Sequence, residues 1–252
     1  MRALAAAPLA ALFRDLDRFA PLLPREPPDS LASLDPRLRL YTDGRVEIWY
    51  APMGRRPVAP RLWILGITPG WRQMRIAYER AALALGRGLD AVAADALEKP
   101  EVAFAGSMRT NLVRMLDAVG MARALEVRTS AELFGDPRLR TGAVLKYPVF
   151  VGGRNYAGFS PAPERHPALT AMIEAVLVEE LRGVGECPIV PLGRAADAVL
   201  ERLAERGALD PGRVLRGFPH PSGANAHRAS QFEARRADFE AFVAERLPNP
   251  VR

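Results

Sequence analysis

A short apolar run that stops abruptly at a turn constrains this chain more than any other feature. The run is Arg61-Leu62-Trp63-Ile64-Leu65, and the turn that closes it is Gly66-Ile67-Thr68-Pro69-Gly70. A continuous apolar run of this length predicts a strand buried on both faces, as in parallel sheets. Ligands bind beyond the carboxyl ends of such strands, so the sequence places Thr68 where a ligand would lie. The alternative is an ordinary strand-to-loop turn.

Three later segments repeat this pattern of a strand followed by a loop. Strands are predicted over 139–145, 188–192 and 214–218. Helices are predicted over 73–97 with a break near 86–88, from Ser107 as the cap to about 120, over 167–181 and over 230–247, and a long loop is predicted over 151–164. Strands that alternate with helices predict a parallel, doubly wound sheet. We therefore expect an α/β fold of three layers, α/β/α, with a central four-stranded parallel sheet. The whole chain, 1–252, is expected to be a single domain with its core at 61–247.

The first 60 residues are expected to lie beside that core. An amphipathic helix is predicted over 8–19, and a Pro-rich irregular segment follows over 21–36. Alternating residues over 38–50 flank Asp43-Gly44, which is a strong signal for a two-residue β-hairpin turn. The N-terminal region therefore adds a β-hairpin to the predicted fold.

Charge and cysteine content narrow the classes of function only a little. The net charge of +6 and the pI of about 10.1 are compatible with a polyanionic partner, but the arginines are scattered. The one cysteine, Cys187, excludes an internal disulfide and a cysteine-held cluster, so we expect a core thiol and a cytoplasmic location. The three histidines are too dispersed for a metal site. No apolar stretch reaches the roughly 18 residues of a membrane helix.

Five loops carry the motifs of interest, in the order in which they follow the strands. They are Gly66-Ile67-Thr68-Pro69-Gly70, Phe104-Ala105-Gly106, Thr141-Gly142-Ala143-Val144-Leu145-Lys146-Tyr147-Pro148, Val190-Pro191-Leu192-Gly193-Arg194 and His220-Pro221-Ser222-Gly223-Ala224-Asn225. Their order and spacing resemble the uracil-DNA glycosylase superfamily over about 60–245. The first loop resembles the Gly-x-x-Pro-Gly motif of the mismatch-specific and single-strand-selective members, and the last resembles their His-Pro-Ser loop. The middle loops are similar to those of the bacterial iron–sulfur members.

The resemblance implies a monofunctional DNA glycosylase, which flips a uracil or related modified base out of DNA and hydrolyses its N-glycosidic bond. It implies that Thr68 positions water and that His220 hydrogen-bonds the departing base. Base-binding residues would be Gly66, Ile67, Phe104 as the stacking ring, Asn111 and Gly142. DNA contacts would come from Lys146, Pro221, Ser222, Gly223, Asn225 and Arg228. No cofactor or metal is expected, and the expected partner of the monomer is DNA with a damaged or modified base.

Two positions depart from the family pattern. Thr68 stands where the family usually has Asp, Asn or Glu, and a hydroxyl can orient water but cannot act as a carboxylate base. Gly142 replaces the usual base-reading Asn, so a larger or modified base is expected to fit. Several other side chains are candidates to replace the missing amide, and the sequence does not choose among them. They are Asn111, Lys146, Tyr147, Asn155, Tyr156 and Asn225.

Each predicted role has a structural alternative. Phe104 is equally well read as a core residue, Thr68 as a group that satisfies the turn, and Lys146 as a solvated strand end. His166 and His227 are expected at the surface. Two other functions also fit: a non-catalytic binder of damaged or single-stranded DNA, and a hydrolase of free nucleosides or nucleotides. The glycosylase hypothesis requires the strand ends to converge on one cavity of nucleobase size.

Overall fold

The fold comprises two compact units, each built from several separate stretches of chain. A computed structural model describes residues 9–13, 16–54, 59–96 and 100–248. Among these, unit 1 contains 9–54, 67–96, 100–102 and 143–180, and unit 2 contains 59–66, 103–142 and 181–248.

Unit 1 is organised around an antiparallel sheet of four strands. The predicted hairpin is confirmed: it forms β1 (Arg39–Thr42) and β2 (Val46–Trp49), which pair antiparallel. The connection has three residues, 43–45, and not the two that were predicted. Its turn is held by Asp43, whose carboxylate accepts the backbone N–H groups of Arg45 and Val46 at 2.9 and 2.7 Å.

Two further strands of this sheet lie where the sequence predicted mainly a loop. They are β5 (Val149–Val151) and β6 (Arg154–Asn155), and the sheet order is β1-β2-β5-β6. Gly152 and Gly153 join them with φ angles of 56° and 72°. Positive φ at both central residues is the geometry of a type I′ turn, whose twist matches a hairpin. The Gly-Gly pair was therefore a hairpin signal that the loop interpretation missed.

The helices of unit 1 follow their predicted positions closely. The helical pattern broken near 86–88 forms α1 (Trp71–Gly86) and α2 (Ala91–Ala96). The helix predicted from 167 is α5, which runs through Pro167–Met172, a π-helical turn Ile173–Leu177 and Val178–Gly183. The N-terminal helix differs: part of 8–19 lies outside the described residues, and a 3₁₀ helix spans Leu16–Leu22.

Unit 2 contains the parallel sheet. Its strands are β3 (Leu62–Gly66), β4 (Leu139–Ala143) and β7 (Ile189–Pro191), in the order β4-β3-β7. β3 and β7 pair in parallel, with Trp63 opposite Ile189. The fold is therefore mixed α/β, as predicted.

The fourth predicted strand, 214–218, is reduced to one parallel bridge between Val214 and Ile189. Beyond it, the Asp197 carboxylate accepts the N–H of Gly217 at 3.0 Å and the Nε–H of Arg216 at 2.5 Å. Gly217 has a φ of 79°, which is not a strand conformation. Hydrogen bonds to the Asp197 side chain are thus found where strand-to-strand backbone bonds were predicted. The spacing of apolar residues in the sequence contains no information about such bonds.

Helices α3 (Ser107–Ala118), α4 (Met121–Ala124), α6 (Arg194–Glu205), α7 (Arg228–Glu233) and α8 (Arg236–Arg246) complete unit 2. The predicted closing helix 230–247 is thus two helices, interrupted at Ala234 and Arg235. Ser107, predicted as a cap, is instead the first residue of α3, and Gly106 precedes it as N-cap.

One hydrophobic core holds unit 2 together. Its fully buried side chains come from β3, α3 and the C-terminal helices, and include Leu62, Ile64, Leu112, Leu116, Phe218 and Phe239. Burying each of these side chains contributes about 1.5–3 kcal/mol. Cys187 is also buried, as predicted, and burial raises the pKa of its thiol to about 12. Within the described part of the chain, no helix combines the length and apolarity that crossing a membrane requires.

Candidate functional site

His220 lies in a loop that is packed against the start of α6. The N–H of Gly193 donates to the carbonyl of Phe218 at 2.9 Å, which brings the two segments together. A Cβ on Gly193 would lie only 2.8 Å from the Cβ of His220, and Gly193 has a φ of 84°. Only glycine combines this backbone conformation with this close approach. Gly193 therefore places the positive, N-terminal end of α6 beside His220.

Three side chains hold the rest of this loop. Asn111 on α3 donates its Nδ2–H to the carbonyl of Pro221 at 3.0 Å. Asn225 donates to the carbonyl of His220 at 3.2 Å, and Arg228 to that of Ser222 at 2.8 Å. A loop whose carbonyls are satisfied in this way keeps one conformation, so the imidazole is held in a fixed position.

The tautomer of His220 follows from its own hydrogen bond. The backbone N–H of Ser222 points at Nδ1 of His220 at 3.2 Å, so Nδ1 acts as an acceptor. Burial lowers the pKa of His220 below its ordinary value of 6.5, which favours the neutral ring. The ring proton of a neutral imidazole whose Nδ1 accepts must lie on Nε2. His220 is thus a neutral donor whose Nε2–H bonds no group within the described ranges.

Phe104 combines a core position with an unusual backbone. Its ring joins the core of unit 2, and it would lie 3.4 Å from a Cβ placed on Gly66 at the end of β3. Its φ of 51° is rare for a non-glycine residue and costs about 1–2 kcal/mol. The Arg109 guanidinium stabilises this turn by donating to the carbonyl of Ala103 at 3.0 Å. Phe104 is therefore a core residue held at the carboxyl end of a parallel strand.

The space beside Gly142 is occupied by core side chains. A Cβ at this position would lie 3.1 Å from Nε1 of Trp63 and 3.3 Å from Cδ2 of Leu65. Nε1 of Trp63 is buried and has no hydrogen-bond partner among the described residues. An Asn at position 142 would press on this indole. The packing therefore favours glycine at this position, and a base could meet it only through the backbone.

In unit 1, the Thr68 side chain is hydrogen-bonded to backbone groups of the same unit. Its hydroxyl donates to the carbonyl of Tyr147 at 3.0 Å and accepts the N–H of Val149 at 3.2 Å. The adjacent carbonyl of Ile67 accepts the N–H of Leu145 at 2.9 Å. The only proton of the hydroxyl is thus committed, and one lone pair remains for a further contact.

The other predicted polar residues of unit 1 also have partners. Lys146 forms an ion pair with Glu180 at 3.2 Å, and the Asn155 carboxamide accepts the N–H of Trp71 at 2.8 Å. Tyr147 is buried, and the buried Tyr156 donates its hydroxyl to the carbonyl of Pro161. The roles suggested for these residues in binding a base or DNA stay predictions.

His166 corrects a prediction, whereas His227 is exposed as expected. His166 is buried, and its Nε2 lies 2.9 Å from Oδ2 of Asp43. Together with the backbone N–H of Val46, which has the larger effect, this contact lowers the pKa of Asp43 to about 2. His166 sits in polar sequence, and only the fold shows that the turn carboxylate pairs with it.

A bacterial relative places the chain among known proteins. It is 41% identical over 210 residues to the uncharacterized protein YoxB of Bacillus subtilis strain 168, a match covering 80% of each chain. The chain belongs to the YoxB family. No family model matches this YoxB-family protein, and no solved structure matches it.

Unit 2 of this YoxB-family protein contains most of the predicted site residues. Around the imidazole it brings together Asn111, His220, Pro221, Ser222, Asn225 and Arg228, and at the end of β3 it joins Gly66 to Phe104. Gly223 is exposed in the same loop. Ile67, Thr68 and Lys146 belong to unit 1. Among the residues that the structure describes, no cluster of His, Cys, Asp and Glu fits a metal ion.

Sequence reasoning missed Gly193 and Arg109 in this YoxB-family member. Gly193 was seen only as a helix start, since its contact with His220 joins segments far apart in the chain. Arg109 lies five residues after Phe104, and this spacing was the only signal in the sequence. The arrangement offers one chemical capability: a fixed, neutral imidazole donor beside a positive helix end, which suits a developing negative charge.

Proposed function

We propose that this YoxB-family protein is a monofunctional DNA glycosylase. It would flip uracil or a related deaminated or modified base from the stack and hydrolyse the N-glycosidic bond. The observation that carries the proposal is the fixed, neutral His220 with its Nε2–H uncommitted among the described residues. The resemblance of the loops to the uracil-DNA glycosylase superfamily supplies the reaction.

The chemistry assigns His220 a definite task. Cleavage of the bond leaves negative charge on the departing base and positive charge on the sugar. A hydrogen bond from Nε2 to a carbonyl oxygen of the base stabilises that anion, and a neutral donor transfers no proton in doing so. The N-terminal end of α6, which Gly193 brings to His220, favours the same negative charge.

The proposal gives Thr68 the task of orienting water, on the strength of the motif. Its hydroxyl proton goes to Tyr147, so Thr68 would act only by accepting a hydrogen bond from water. A group that accepts without taking a proton leaves the sugar cation to be captured by neutral water. The proton that this water loses goes through solvent to the departing base anion, so the products are the free base and an abasic sugar. This assignment implies a slow enzyme relative to one with a carboxylate at this position.

A second function, a non-catalytic binder of damaged or single-stranded DNA, is favoured by two observations. The hydroxyl of Thr68 is occupied by two backbone groups, and Trp63 and Leu65 pack beside Gly142 where the family has its base-reading amide. A binder needs neither group. It would show salt-dependent affinity for DNA and no release of base.

The remaining expectations belong to this proposal. We propose a three-layer α/β/α arrangement in which the Val214 bridge marks the fourth strand of the parallel sheet. We also propose a cytoplasmic monomer whose partner is DNA, acting without metal or cofactor. The buried thiol of Cys187 is compatible with a reducing compartment.

The decisive experiment measures base release. Purified protein is incubated with single- and double-stranded oligonucleotides that carry uracil, hypoxanthine, xanthine or hydroxymethyluracil, and abasic product is quantified. We expect product on at least one substrate with wild type, and about 100- to 1000-fold slower release with His220→Ala. Absence of product on all substrates, while an established glycosylase cleaves them in parallel, rejects the catalytic proposal. Release from a free nucleoside without affinity for DNA would instead indicate a nucleoside hydrolase.

A further inference from the structure

Two segments without acidic residues form a surface on unit 2 at the His220 loop. The segments 102–116 and 217–232 contain no Asp or Glu. They meet where Asn111 of α3 donates to the carbonyl of Pro221 at 3.0 Å. Two stretches that contain no acidic residue are thus joined by a hydrogen bond.

Helix α3 presents a polar stripe on this surface. Ser107, Thr110 and Arg114 follow the i, i+3, i+7 spacing of one helix face, and all three are exposed. The opposite face buries Leu112 and Leu116 in the core. A stripe with two hydroxyls and a guanidinium has the donors that phosphate oxygens accept.

The arginines of this surface keep their charge available. Arg114 has no acidic partner among the described residues, and Arg228 donates to the uncharged carbonyl of Ser222. The acid that follows in sequence, Asp117, is occupied: its two oxygens accept the Thr129 hydroxyl at 2.7 Å and the Ser130 N–H at 2.6 Å. The positive charge of Arg114 is therefore not cancelled by its own helix.

We propose that this surface, formed by Ser107, Thr110 and Arg114 of α3 with the 222–228 loop, binds the sugar–phosphate backbone of a nucleic-acid strand. Arg114 supplies the charged phosphate contact, and Thr110 a neutral one. The inference deepens the proposed function by naming how the strand is held, and it is independent of whether any base is released. Asn111 then links the helix that holds the strand to the loop that carries His220.

The test uses a fluorescently labelled oligonucleotide without any modified base, as a single strand and as a duplex. Anisotropy gives the affinity of the full-length protein between about 50 and 200 mM salt. Removing one phosphate contact reduces the slope of log K against log salt by about 0.7–0.9. We expect this reduction, with weaker binding, in Arg114→Gln. Thr110→Val is expected to weaken binding with an unchanged slope, because its hydroxyl carries no charge.

Arg128→Gln is the matched control, since it also removes one arginine, whose side chain is 92% exposed and pairs with Glu132 outside this surface. It should leave affinity and slope at wild-type values. Equal binding by Arg114→Gln and Arg128→Gln, in both strand forms, overturns the inference. Base release with unaltered binding in Arg114→Gln rejects this surface and keeps the glycosylase. Slope loss without base release on any substrate keeps the surface and rejects the glycosylase.

Discussion

His220 and Thr68 were predicted from motifs as the two catalytic side chains, and their surroundings differ in one decisive respect. The His220 ring is fixed through Nδ1, and among the described residues its Nε2–H remains uncommitted. The Thr68 hydroxyl gives its proton to Tyr147 and accepts from Val149. His220 is therefore fixed through one ring nitrogen and can donate a hydrogen bond to a ligand through the other. The Thr68 hydroxyl has no proton left to donate and keeps one lone pair.

The difference follows from what each group can do. Buried backbone N–H and C=O groups must be paired, and a short hydroxyl next to a turn is well placed to pair them. An imidazole has two nitrogens on opposite sides of a ring, so one can be fixed while the other serves a ligand. A motif match is therefore more informative for a histidine than for a threonine.

The largest effect is expected from removing the imidazole. His220→Ala should reduce base release by about 100- to 1000-fold, the usual cost of losing one donor to a developing anion. The melting temperature should change little, because the bond from the Ser222 N–H to Nδ1 is a single local contact. Arg128→Gln, which alters a side chain that is 92% exposed and pairs with Glu132 outside the proposed binding surface, is the control and should behave as wild type. If His220→Ala releases base at the wild-type rate, His220 is not the catalytic donor and does not differ from Thr68 in this respect.

A methyl group at Gly193 should displace the His220 ring while leaving the imidazole itself unchanged. Gly193→Ala places a Cβ 2.8 Å from that of His220 in a backbone with a φ of 84°. We expect a loss of about 1–2 kcal/mol in unfolding free energy and a large loss of base release. Gly183→Ala is the matched control, since a Cβ there meets nothing within 4 Å and the residue lies outside the proposed binding surface. Normal activity in Gly193→Ala would show that the position of the ring is not critical.

Thr68 should behave first as a structural residue. Thr68→Val leaves the carbonyl of Tyr147 and the N–H of Val149 without their partner, which costs about 1–3 kcal/mol of unfolding free energy. Thr68→Ser keeps the hydroxyl and should lose much less. Chemical denaturation measures both. If Thr68→Val retains wild-type stability but loses base release, Thr68 is a working residue like His220.

The smallest effect is expected from pH. Burial lowers the pKa of His220 below 6.5, so the neutral donor persists as pH falls past that value. The stability linked to this group is complete above pH 6.5 and is lost below it, because the unfolded chain then binds the proton first. Base release should stay constant down through pH 6.5 and fall only in more acid solution. In His220→Gln, which donates without titrating, a remaining activity should lack that acid limb.

Local patterns were enough for much of the fold and for little of the site. Asp43-Gly44 predicted the hairpin because the turn chemistry is contained in two residues, and the apolar run predicted β3 to within one residue. Only a single bridge at Val214 represents the fourth predicted strand, and beyond it Asp197, on another element, accepts the N–H of Gly217. The burial of His166 and the approach of Gly193 to His220 are likewise contacts between distant segments, which periodicity does not encode.

The pairing of Trp63 with Ile189 has a consequence for how the chain is made. When β3 leaves the ribosome, the strand that will cover one of its edges is still untranslated, and residues 67–188 must be added first. An apolar strand with an open edge is a site for aggregation. Slow synthesis or a premature stop before residue 188 should therefore give insoluble chains, and recombinant yield should improve when a holding chaperone is supplied.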